Sequence, residues 1–206
     1  MKKIDFKKEL KHLYRPPQDF VTVDVPEMAY IMADGHGDPN TAQEYQDVVQ
    51  ALYAVAYKIK FISKKQLKRD YTVPPLEGLW WAEDVDAFKK RDKSSWDWTM
   101  MIMTPEWITD GIFDEAVIAA RESKDPVALD KVRMDHYQEG LSVQIMHVGS
   151  YDDEGPILAR MQDEFMPANG FVENGKHHEI YLSDPRRVVP EKLKTVLRQP
   201  VRSKTK

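Results

Sequence analysis

The feature that most constrains this chain is that it repeats itself. Tyr30-Ile31-Met32-Ala33-Asp34-Gly35 resembles Gln144-Ile145-Met146-His147-Val148-Gly149. Each reads as a strand running into a glycine turn, followed by a segment with helical apolar spacing. In the first half, Thr41 and Glu44 stand at the spacing of a capping box, ahead of Tyr45, Val48, Val49, Leu52, Val55, Ala56 and Ile59. In the second half, Gly155-Pro156 opens a helix at a position proline favours, Ile157, Leu158, Met161 and Phe165 form its apolar stripe, and Gly170 follows its end. A strand with a central glutamate comes next in both halves: Leu76-Glu77-Gly78-Leu79-Trp80-Trp81, and His178-Glu179-Ile180-Tyr181-Leu182. This sets Glu77 opposite Glu179. The glycine-to-glutamate distance is longer in the first half by 12 residues, which the basic stretch Lys64–Arg69 accommodates as an insertion. A last strand closes each half, Trp96–Met103 before Pro105 and Thr195–Gln199 before Pro200.

The expected fold is therefore α+β: two strand–helix–strand–strand modules related by a pseudo-twofold, with antiparallel sheets and helices on one face. The expected boundaries are 19–104 for the first module, 105–140 for linking helices and 141–202 for the second, within a single domain spanning 1–206. Thr104-Pro105-Glu106-Trp107 is expected to start one linking helix, reaching about Glu122. Asp125-Pro126 is expected to start another, stopping at Gly140.

The strand around Glu179 carries the most chemistry. On a strand, alternate side chains share a face. His177, Glu179 and Tyr181 thus point one way, and Ile180 and Leu182 the other. His177 and His178 point oppositely, so they do not form a metal pair, and no histidine spacing matches a zinc or iron site. Gly35-His36-Gly37-Asp38 lacks the Lys-Ser/Thr ending of a phosphate loop, and no serine sits in a nucleophile elbow. With 0 Cys, thiolate chemistry and cysteine-ligated zinc are excluded. The net charge is −4 with no basic block, which argues against nucleic acid as a partner. No apolar run approaches a membrane span, and the N-terminus lacks a signal-like apolar stretch, so a cytoplasmic location is expected. The basic run from Lys58 to Arg69 reads as a solvated helix end and loop. The 10 Met and 5 Trp provide adaptable apolar surface as readily as core.

Gly175-Lys176-His177-His178-Glu179-Ile180-Tyr181-Leu182-Ser183-Asp184-Pro185, and the tail Pro190–Val201, resemble the GyrI-like small-molecule-binding family over roughly 19–202. The length and the Trp-rich first half look most similar to the branch that includes cyclopropanoid cyclopropyl hydrolases. The resemblance implies a ligand cleft between the modules, with a glutamate on its floor at Glu179. It implies a small apolar, aromatic or cationic ligand and no cofactor. Because the repeats begin almost at once, no helix-turn-helix reader of the kind many relatives carry is expected.

On this reading Glu179 is a general base directing water at an electrophilic carbon, and Tyr181 orients that water or stabilises charge on the ligand. Same-face neighbours are not assumed to bond directly. Trp80, Trp81, Trp96, Trp98 and Tyr137 are candidate wall residues, with Trp81 favoured over Trp80 because it shares the face of Glu77. Glu77 and His177 complete the ligand-binding candidates. The alternatives are a non-catalytic protein that sequesters drug-like molecules and a protein that interacts with gyrase. A monomer and a homodimer both fit.

Overall fold

The computed structural model describes residues 2–83 and 93–204. The strands are β1 (Val21–His36), β2 (Leu76–Trp81), β3 (Asp97–Met103), β4 (Arg133–Val148), β5 (Phe171–Glu173), β6 (His177–Tyr181) and β7 (Lys194–Ser203). The chain divides into two compact units. The first comprises Met1–Glu9 and Met28–Tyr137, and the second Leu10–Glu27 and Gln138–Lys206.

In the first unit β3 lies between β1 and β2, antiparallel to both. The Gln43–Ile62 helix buries Val48, Ala51, Leu52, Val55, Ala56 and Ile59, the stripe that helical spacing anticipates. Each such large side chain contributes about 1.5–3 kcal/mol on burial. Tyr45 of this helix stacks on Trp80 at 6.3 Å and meets Trp98 edge-on at 5.4 Å. The helix therefore covers the sheet face that carries Trp80 and Trp98. Gly35 is directly opposite Trp98 in the ladder. A Cβ there would fall 2.1 Å from the indole, so the glycine is what lets the ring lie across β1.

In the second unit β7 lies between β4 and β6, again antiparallel, and its far end pairs with β5. Val143, Ile145, Leu197 and Val201 pack against Met161 and Met166 of the helical segment 155–168. Gly170, with φ of +70°, ends that segment in the left-handed conformation glycine tolerates best. After β6, Asp184 accepts the backbone N–H and the guanidinium of Arg186, which fixes the turn at the Asp-Pro ending.

Both units thus have the strand–helix–strand–strand order, but five local expectations change. The last strand does not stop before Pro200: β7 runs through it, paired with Ser142, to Ser203. The segment expected to be a second linking helix, Asp125-Pro126 to Gly140, instead enters β4 at Arg133. The first linking helix starts at Asp110, capped by Thr109, rather than at Thr104. The Thr41/Glu44 capping box does not form: the helix starts at Gln43, with Ala42 at the cap, and Glu44 accepts from His36 N–H and Lys131 instead. The basic run is not simply solvated, because Lys60 and Lys64 both fold onto Asp70, at 3.3 and 3.4 Å. Among the described residues, no helix is long and apolar enough to cross a membrane.

Candidate functional site

Strand alternation places His177, Glu179 and Tyr181 together, and the ladder shows on which face. Glu179 is directly opposite Leu197, and Leu197 is opposite Ile145. Leu197 and Ile145 pack under the helical segment, so Glu179 stands on the helix-bearing face of its unit. Its side chain is 12% exposed. The Tyr181 hydroxyl donates to Glu179 Oε2 at 2.8 Å. The two residues do bond directly, because the long phenol leans along the strand across the gap between same-face neighbours. His177 Nε2 lies 3.6 Å from the other oxygen, Oε1. Tyr151, just after β4, meets the Tyr181 ring edge-on at 5.7 Å. The sequence reading omitted Tyr151; the glycine turn two residues before it was the available signal.

The neighbouring residue does opposite work. His178 is fully buried on the other face, where its Nδ1 is 3.0 Å from Glu139 Oε2. Arg198 donates to the same oxygen at 3.0 Å, to Gln144 Oε1 at 3.1 Å and to the Leu13 carbonyl at 2.6 Å. Burial pushes the Glu139 carboxyl pKa up, but the charges and hydrogen bonds of His178 and Arg198 outweigh this and hold it down at about 2. This network ties β4, β6 and β7 to the segment before β1.

In the first unit the other candidates separate. Ile102 is directly opposite both Ile31 and Leu76. Ile31 and Ile145 are repeat equivalents, each four residues before its glycine. The register counterpart of Glu179 is therefore Leu76, not Glu77. Glu77 is buried on the face away from its helix, and Trp81, half-buried, shares that face. The basis for favouring Trp81 over Trp80 thus disappears. Trp80 is on the helix-bearing face, 5.7 Å from Trp96. Trp98 is fully buried and donates its indole N–H to the Gly37 carbonyl at 3.1 Å, the signature of a core residue. Tyr137 lies in β4, half-buried.

The model of the GyrI-like small molecule binding domain matches residues 18–202. Among solved structures, the chain is similar to an uncharacterized conserved protein from Listeria innocua, with 44% identity, TM-score 0.90, and 97% of this chain and 100% of that one covered. It is also similar to a hydrolase from Listeria innocua, with 43% identity, TM-score 0.86, and coverage of 98% and 100%. A second hydrolase structure from Listeria innocua is 42% identical, with TM-score 0.85 and coverage of 97% and 100%. Comparison with curated proteins finds no match. With the family's match spanning nearly its whole length and a glutamate–tyrosine pair on the helix-bearing face of its second unit, this chain belongs to the GyrI-like small-molecule-binding family.

Proposed function

We propose that the protein binds small apolar, aromatic or cationic molecules at the face carrying Glu179 and Tyr181, and hydrolyses strained electrophilic compounds of the cyclopropanoid class there. The observation that carries this reading is the hydrogen bond from Tyr181 to a nearly buried Glu179 carboxylate. A carboxylate oriented by such a donor can act as a general base and take a proton from water. The hydroxide equivalent attacks the electrophilic ring carbon as the water proton moves to Glu179. The strained C–C bond breaks, and its electron pair passes onto the conjugated carbonyl of the ligand. Glu179 then returns the proton to that oxygen, so the sum is addition of one water and no co-reactant is consumed. The solved relatives described as hydrolases, at 43% and 42% identity, support an enzyme over a passive binder.

Glu179→Gln keeps the shape of the side chain and removes the base. We expect it to bind a cyclopropane-bearing aromatic substrate but lose turnover by roughly a hundredfold or more, the range attributed to general-base catalysis. Mass spectrometry of the ligand reads the result directly. A wild type that leaves the ligand unchanged makes the protein a binder, and a Glu179→Gln variant at full rate removes Glu179 from the mechanism.

A further inference from the structure

One outer face of the first unit gathers exposed apolar side chains. Tyr57 is 49% exposed and Phe61 56%, one turn apart on the Gln43–Ile62 helix and opposite its buried stripe. The ring of Tyr53, one turn earlier, lies 6.4 Å from that of Tyr57. Leu67, at the end of the turn that follows the helix, is also exposed, as is Ile118 on the neighbouring Asp110–Ser123 helix. Gln66 donates to Glu115, one turn before Ile118, at 2.7 Å, which ties the two helices together at this end. Four of the eight exposed large hydrophobic side chains among the described residues thus lie on or beside these two helices. Scattered singly, such side chains need no explanation; grouped, they mark a surface for a partner.

The charges flanking this apolar centre identify the partner. From Asp47 to Lys65 is 18 residues. At about 3.6 residues per turn that is five turns, so both side chains lie on the same side of the helix and its continuation. Their midpoint is residue 56, beside Tyr57. Neither makes an ion pair among the described residues: Asp47 accepts from the Gln43 amide at 3.0 Å, and Lys65 is exposed. Lys60 and Lys64, by contrast, are taken up by Asp70. A helix with an uncompensated acid at one end, an uncompensated base at the other and aromatic rings between them is complementary to itself run backwards. We propose that this face is the contact between two copies of this chain, with their Gln43–Ile62 helices packed antiparallel about a twofold axis near Tyr57. Tyr57 then meets the partner's Tyr57, Phe61 meets the partner's Tyr53, and Asp47 pairs with the partner's Lys65. A twofold contact uses each pairing twice, so one acid and one base per chain make two ion pairs. A contact this narrow falls at the small end of specific interfaces, about 1,200 Å² or less, and gives a reversible dimer with a dissociation constant on the order of micromolar.

Sedimentation velocity of the full chain tests this. Wild type should pass from monomer to dimer over roughly 1–100 µM, the range of a weak specific contact. Phe61→Glu should raise the dissociation constant roughly tenfold or more by burying a charge in the contact, while its circular dichroism spectrum stays that of the folded chain. The charges test the antiparallel arrangement. Asp47→Lys alone and Lys65→Asp alone should each weaken association, because each sets like charges together. An equimolar mixture of the two variants should restore it, because both ion pairs of the mixed dimer are attractive again. The chain has 0 Cys, so Tyr57→Cys introduces its sole thiol. Mild oxidation should link two copies of that variant through residue 57, whereas Gln43→Cys, far from the axis, should stay unlinked. A wild type that remains monomeric at about 100 µM overturns the proposal, and so does a dimer that Phe61→Glu leaves intact. A dimer that Phe61→Glu breaks but that ignores the charge at 47 and 65 overturns the antiparallel arrangement. A monomeric wild type that binds neutral phosphatidylcholine vesicles through Phe61 gives the face to a lipid surface instead. Should Phe61→Glu not fold, the mixture of the two charge variants decides by itself.

Discussion

At the scale of single residues, the second unit assigns opposite tasks to consecutive side chains of one strand. Glu179 faces the helical segment, while His178 completes the Glu139–Arg198 network behind it. Removing one partner of a fully buried ion pair is costly, because the remaining charge stays desolvated. Glu139→Gln should therefore destabilise the protein by about 3–5 kcal/mol, measured by chemical denaturation at neutral pH. The pH dependence has a definite sign. The Glu139 pKa is held at about 2 in the folded protein against 4.5 for the free group, so the unfolded chain binds the proton more readily. Its contribution is fully present above pH 4.5 and is lost as pH falls towards 2. Wild type should lose stability across that window more steeply than Glu139→Gln; parallel curves would contradict the assignment. The alternation that separates His178 from Glu179 was legible in the sequence. Arg198 as the partner of Glu139 was not, because 59 residues separate them and only the strand ladder brings them together.

At the scale of elements, the duplicated strand–helix–strand–strand order was readable because glycine turns and apolar spacing agree in both halves, although Pro200 does not stop β7. What failed was parity. Glu77 and Glu179 look equivalent within their local motifs, yet pairing with the central strand puts Leu76 in the place of Glu179. A shift of one residue turns every side chain to the other face, and no short segment reveals its own register. The expected helix up to Gly140 failed for a related reason. Asp-Pro and Gly punctuate either structure, and residues 142–148, which pair one for one with β7, draw the preceding residues into a continuous strand. The Gly35–Trp98 contact tests the register of the first unit. Gly35→Ala drives a methyl group to within 2.1 Å of a fully buried indole. Overpacking of this kind costs about 1–3 kcal/mol, and here the rigid ring places it at the upper end. Combining it with Trp98→Leu should cost less than the sum of the two single changes, because each relieves the other. Additive losses in thermal or denaturant melts would mean that the two side chains do not meet.

At the scale of the whole molecule, binding is linked to stability. A ligand that binds only the native state at a hundred times its Kd adds about 2.7 kcal/mol, so a thermal melt reports occupancy without knowledge of the physiological ligand. The net charge of −4 is small, and salt screens most of its attraction for a cation at a distance. Discrimination between a cation and its neutral analogue must then come from a carboxylate close to the ligand. On the proposed reading Glu179, 12% exposed and accepting from the Tyr181 hydroxyl, supplies it. An aromatic cation such as ethidium should therefore raise the melting temperature more than a neutral phenanthridine of similar ring area. Glu179→Gln should abolish that difference, a loss of roughly tenfold or about 1.4 kcal/mol in relative affinity, while leaving the neutral compound bound as before. The neutral compound serves as the internal control, since stacking on aromatic side chains contributes about 0.5–1.5 kcal/mol per pair whatever the charge of Glu179. A cation preference that persists unchanged in Glu179→Gln would place recognition on other carboxylates and detach Glu179 from ligand binding. Loss of both compounds together would instead show that the substitution had damaged the face itself.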